Sequence, residues 1–215
     1  YSAARNHAMT ATKGRPDWGL AHAVLARTYL ALGDGPPAEG ELKRATAAGF
    51  DAARTHQMLA HAYWLEGDTN RAIDEAKRAS PRYSAYANRI RARALADQGD
   101  FGAAQSLLTG VIARNSRDSA AWSDLGRVRY RNGDLSGATE AAGRATKLDP
   151  ANLDGMTLAG EIVRSRYGLV AALPWFPAPL PRAASSPAAL IEYAAPLGDL
   201  GLNREMLTAT RPALA

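Results

Sequence analysis

The chain is 215 residues long, 47% hydrophobic but only 7% aromatic, with 22% charged residues, a net charge of +5 and no cysteine. Disulfides and thiolate metal sites are thereby excluded, the charged share argues against disorder, and no apolar run is long enough to span a bilayer. The length suits one large domain or one elongated array, and the positive balance suits acidic partners while also serving solubility.

In chain order, residues 1–18 carry small residues at Ala4, Ala8 and Ala11 and a closing Pro16. This is the pattern of a second helix in a helix pair whose first helix would precede Tyr1, so the segment reads as cut from a longer array just after a turn. From Gly19 onward Gly-Asp recurs at Gly33-Asp34, Gly67-Asp68, Gly99-Asp100 and Gly133-Asp134, at intervals of 34, 32 and 34 residues, and again at Gly198-Asp199. A helix is expected before each pair and another after it: glycine accepts the left-handed conformation that ends a helix, and aspartate can cap the next one.

Aligned on that glycine, the position eight before holds Leu25, Leu59, Arg91 and Leu125, followed by Ala26, Ala60, Ala92 and Gly126. Five after lie Ala38, Ala72, Ala104 and Ala138; twelve after lie Ala45, Ala79, Val111 and Ala145. Small residues in fixed register let antiparallel helices approach closely, and each pair leaves an apolar edge that a neighbouring pair must cover. Residues 19–152 thus read as four repeats, the second two residues short where Pro81 arrives early. Residues 153–183 read as a degenerate repeat and 184–215 as a final degenerate helix pair. The second half of the degenerate repeat, LPWFPAPLPRAASSP, places prolines at 174, 177, 179, 181 and 187, and each proline inside a helix costs about 3 kcal/mol. Trp175 and Phe176 are expected to cover the end of the core there; the alternative is a polyproline II ligand.

The fourth copy, Ser119 to Asn152, carries Trp122, Leu125-Gly126, Tyr130, Gly133-Asp134, Ala138, Ala145 and Pro150. This set, matched in part by the other copies, resembles the tetratricopeptide repeat (TPR) family, well to about Asn152 and poorly after Leu173. The resemblance implies an all-α fold, a right-handed α-solenoid of antiparallel helix pairs, with the first helices lining a concave groove.

No chemistry of an enzyme stands out. GPPAEGELK (35–43) lacks the Gly-Lys-Ser/Thr ending of a phosphate loop, no Gly-x-Ser-x-Gly elbow occurs, and the carboxylates are scattered. His22 and His56 take the repeat position held by Trp122 and read as packing residues, while His56 and His61 are five apart, poor spacing for metal ligation on one helix face. Neither a metal site nor a cofactor is expected.

In the family the groove is faced by the residue two after the start of the packing motif, which places Arg27, His61, Arg93 and Arg127 in it, followed by Glu161 and Glu192. Neighbouring groove positions add Arg54, Gln57, Trp64, Tyr86, Arg89, Tyr130 and Arg131. Arginine grips carboxylates through paired hydrogen bonds and aromatic rings give stacking area at low entropic cost, so the expected partner is another protein or peptide, with acidic segments among the candidates. The carboxylate clamp of some family members is not expected, because its positions hold Ala23, Arg27, Met58, Tyr86 and Ile90. Neither nucleic-acid binding nor a membrane span is expected, since no basic run is interleaved with stacking aromatics. The reading is a non-enzymatic interaction scaffold. Its alternatives are a regulatory or substrate-presenting array attached to a transferase domain, and a solenoid self-associating through its ends. The Ala/Arg-rich composition suggests a bacterial gene, and the compartment, cytoplasm or periplasm, stays open.

Overall fold

The computed structural model describes residues 2–172 and, beyond them, Leu197, Gly198, Gly201, Arg204, Met206 and Leu207. The proline-rich stretch with Trp175 and Phe176, Glu192, and most of the pair expected at 184–215 lie outside the described residues. The described regular structure is helical, with no strand among the described residues: α1 (Ser2–Gly14), α2 (Gly19–Leu32), α3 (Gly35–Ala47), α4 (His56–Leu65), α5 (Thr69–Arg78), α6 (Ser84–Asp97), α7 (Phe101–Arg114), α8 (Ser119–Arg131), α9 (Leu135–Leu148), α10 (Leu153–Tyr167) and α11 (Leu169–Ala172). Short 3-10 turns at Ala52–Arg54 and Pro81–Tyr83 precede α4 and α6. The chain forms two compact units, Tyr1–Val111 and Ile112–Ala215, divided inside α7.

Four turns share one geometry. Gly33, Gly67, Gly99 and Gly133 have φ of +83°, +80°, +86° and +83°, a region that glycine enters without the penalty a Cβ would bring. Each glycine amide bonds the carbonyl three residues back, and each following aspartate amide bonds the carbonyl five residues back, closing the helix end. Asp68, Asp100 and Asp134 then cap α5, α7 and α9 by accepting from the amides of Arg71, Ala103 and Gly137 at 2.9, 3.0 and 2.8 Å. Asp34 makes no such bond. The residue three places on is Pro37, which has no N–H to donate.

In the first unit each helix from α1 to α6 packs on the next, and α4 also packs on α6. Ala26, Ala38, Ala60, Ala62, Ala72, Ala92 and Ala94 have no exposed surface, so these contacts run backbone against backbone. Leu30, Leu42, Met58, Ile73 and Ile90 fill the spaces between them. In the second unit α8, α9 and α10 pack mutually around Ala138, Ala142, Leu158, Ala159 and Ile162. Gly126 occupies the register held by alanine in the other copies. A Cβ there would lie 2.7 Å from Leu158 Cδ2 and 3.3 Å from Ala141 Cβ, because Leu158 takes the space.

Candidate partner-binding surface

In the first unit, four of the expected groove residues meet between α4 and α6. His61 Nδ1 lies 2.5 Å from the Tyr86 hydroxyl, and its ring stacks on Trp64 with centroids 5.7 Å apart. The Tyr86 ring stands edge-on to the imidazole at 5.8 Å. The Arg93 guanidinium lies over the Trp64 ring at 5.0 Å, and Trp64 Nε1 donates to Asp97 Oδ2 at 2.7 Å. Trp64 is thus held by an imidazole, a guanidinium and a carboxylate. These contacts place the Arg93 guanidinium against the indole face, where a cation is attracted by the ring. All four side chains are half-buried, as is Arg89. Arg27 is exposed on α2 at the register of His61 and Arg93.

Other expected residues sit differently. Arg54 belongs to the 3-10 turn before α4, is exposed, and lies over the Phe50 ring at 4.9 Å. Gln57 turns inward, 5% exposed, and donates to the Arg54 carbonyl at 2.7 Å. In the second unit Arg127 forms an ion pair with Glu161, one repeat further on, so its charge is answered within the unit. Tyr130 packs on the core beside Leu158 and Ile162. Arg131 is exposed at the end of α8.

Two polar clusters were not foreseen. His22 and His56 sit on first helices, His22 buried and His56 half-buried, and both also carry polar contacts. His22 Nε2 donates to the Pro16 carbonyl at 2.9 Å, its Nδ1 lies 2.5 Å from Glu41 Oε2, and Arg44 holds the other carboxylate oxygen. His56 repeats this with Glu75 at 2.6 Å and Arg78 at 2.7 Å. All three residue types recur 34 positions apart, which was the available signal. At the same register in the second unit Trp122 replaces histidine and Ala141 replaces glutamate, and Arg144 lies over the indole at 5.0 Å. The second cluster joins α3, α4 and α5. Glu39 accepts from Lys43 at 2.8 Å and from the Tyr63 hydroxyl at 3.0 Å, and the Lys43 bond holds its carboxyl below the usual range. Burial, reinforced by the bond to Glu39, pushes the Tyr63 phenol up. Burial, helped by the negative charge of Glu39, pushes the Glu66 carboxyl up, and Glu66 Oε1 is buried with no hydrogen-bond partner.

Two tetratricopeptide repeat models match the sequence, over residues 53–80 and 91–153. These two segments of the chain are tetratricopeptide repeats. Solved TPR structures share its fold. A thermophilic TPR protein of Thermus thermophilus is 19% identical, over 83% of this chain and 98% of that one, with a TM-score of 0.71. A tetratricopeptide repeat protein of Parabacteroides merdae is 13% identical, over 98% and 77%, with a TM-score of 0.69. PilW, a type IV pilus biogenesis factor, is 21% identical, over 94% and 86%, with a TM-score of 0.59. No curated protein matches the sequence. TPR arrays are in general non-enzymatic scaffolds for protein–protein interaction, and this chain has the fold of one. Among the described residues no helix is long and apolar enough to cross a membrane.

Proposed function

We propose that this TPR protein is a scaffold that binds a segment of a partner protein on the face formed by α2, α4 and α6, and that the segment is acidic. The observation that carries this reading is the position of the Arg93 guanidinium over Trp64, beside His61 and Tyr86. A guanidinium fixed in advance loses little freedom on gripping a carboxylate, and the flanking rings supply contact area around it. Arg27 extends the positive charge along the same register to α2.

The test is a pull-down from source-cell lysate with the full chain, followed by calorimetric titration of the identified partner against wild type and the Arg27→Glu, Arg93→Glu variant. Affinity is expected to fall at least about tenfold in the variant and to weaken with salt. Equal affinities of wild type and variant, at low and moderate salt, would remove this face as the site.

A further inference from the structure

The first unit carries a second set of exposed charges, in the connections that precede α2, α4 and α6. Consecutive helices from α1 to α6 are antiparallel neighbours, so the α1–α2, α3–α4 and α5–α6 connections all return to one end of the helix layer. Each of them lays an arginine on an aromatic ring: Arg15 over Trp18 at 5.2 Å, Arg54 over Phe50 at 4.9 Å, Arg82 over Tyr83 at 5.9 Å. The three arginines are exposed. Arg44 and Arg78, from the triads, reach this end with side chains 66% and 63% exposed, while their partners Glu41 and Glu75 are sequestered against His22 and His56. The exposed carboxylates among these connections are Asp17 and Asp51, so positive charge dominates.

Cations in the last turns of α1, α3 and α5 answer the negative ends of those helices, but Arg15, Arg54 and Arg82 lie in the connections and are not explained that way. The helices that start here, α2, α4 and α6, begin at Trp18, Thr55 and Tyr83 without a side-chain cap. In the second unit Asp118 and Asn152 cap α8 and α10. An open cavity of about 640 Å³ also lies at this end, lined by Lys13, His22 and Arg44 together with the carboxylates of Asp17 and Glu41. Beside it Trp18 and Leu20 are 40% and 47% exposed.

We propose that this end of the first unit docks on an anionic phospholipid surface. Headgroup phosphates would meet the exposed arginines, and Trp18 and Leu20 would enter the interfacial layer. A planar array of charges suits the spread of cations over three successive connections, and exposed tryptophan beside leucine suits the boundary of headgroup and acyl chain. Single-stranded nucleic acid fits less well. Its bases need open ring faces, and here an arginine already covers one face of each ring, with Phe50 and Tyr83 half-buried.

The test is co-sedimentation of the full chain with phosphatidylcholine vesicles, with and without phosphatidylserine, at low and moderate salt. Wild type is expected to bind only the phosphatidylserine vesicles, more weakly in salt. The Arg15→Glu, Arg54→Glu, Arg82→Glu variant is expected to lose at least about a hundredfold in affinity, since each surface cation contributes about fivefold. Circular dichroism checks its fold. Trp18→Ala, at an exposed site, is the second variant and should weaken binding about tenfold. No binding to phosphatidylserine vesicles, equal binding to both vesicle types, or binding indifferent to both variants would overturn the proposal. So would binding of a single-stranded RNA oligonucleotide through the same arginines by a chain that ignores the vesicles.

Discussion

Asp34 and Asp100 occupy the same register in two copies of one compact unit, yet only Asp100 has an amide to cap. Replacing Asp100 with alanine removes a 3.0 Å bond to the Ala103 amide and a negative charge at the start of α7. The cap contributes about 1 kcal/mol and the charge about 0.5 kcal/mol, so Asp100→Ala should cost about 1.5 kcal/mol. Asp34→Ala removes only the charge, because Pro37 offers no N–H, and should cost about 0.5 kcal/mol. Urea unfolding followed by circular dichroism measures both in the same unit, with the slope checking that the transition keeps its cooperativity. Pro37→Ala supplies the missing amide. In that background Asp34→Ala should cost about 1 kcal/mol more than in wild type. Equal costs for the two aspartates, or no coupling between Asp34 and Pro37→Ala, would refute the account of the turn.

Glu66→Gln should raise the melting temperature at pH 7 and change little near about pH 3, below the ordinary carboxylate value, where the group is mostly neutral in both states. Burial pushes the Glu66 carboxyl up, so the folded state holds more protons than the unfolded one just above the ordinary carboxylate range, and stability falls as pH rises through that window. Glu39 and Asp68 act oppositely: the Lys43 bond lowers the first and the Arg71 backbone and side-chain bonds lower the second. Their contribution is present above the ordinary carboxylate value and is lost as pH falls through the lowered one, which acid melts of Glu39→Gln should show. Gly126→Ala should destabilise the second unit by about 1 kcal/mol, the net of overpacking and a gain in helix propensity; adding Leu158→Val, which removes the clashing Cδ2, should recover stability relative to the sum of the single changes. His56→Trp alone should cost about 2 kcal/mol by stripping Glu75 of its imidazole, and His56→Trp with Glu75→Ala should cost less than either single change predicts, as chemical denaturation of the full cycle would reveal.

The helices were legible because their signals are local and repeated. Glycine at a left-handed turn, aspartate after it and alanine five and twelve places on each state a backbone requirement that holds in any neighbourhood. The register shared by His61 and Arg93 was legible, because it follows from the glycine alignment. Their partners were not, because a partner comes from another helix. Nothing near Arg127 in sequence announces that Glu161 will take its charge, and nothing near Trp64 announces Asp97. Asp34 was read as a cap from the motif alone, and the proline three residues on decided otherwise.

The triads show how a repeat can reveal such contacts without comparison to any other protein. Histidine at the eleventh place before the turn glycine accompanies glutamate at the eighth place after it, in both copies that have either. Where the first becomes Trp122 the second becomes Ala141, and the arginine at the eleventh place after the glycine stays, moving from a carboxylate to an indole face. The third copy has Asn88, Leu107 and Gly110 and keeps none of the three. The residues change as a set because the two helices of a pair close on each other at that point, and a buried carboxylate needs the imidazole beside it. The arginine persists beside either partner, because a guanidinium can both pair with an anion and stack on a ring.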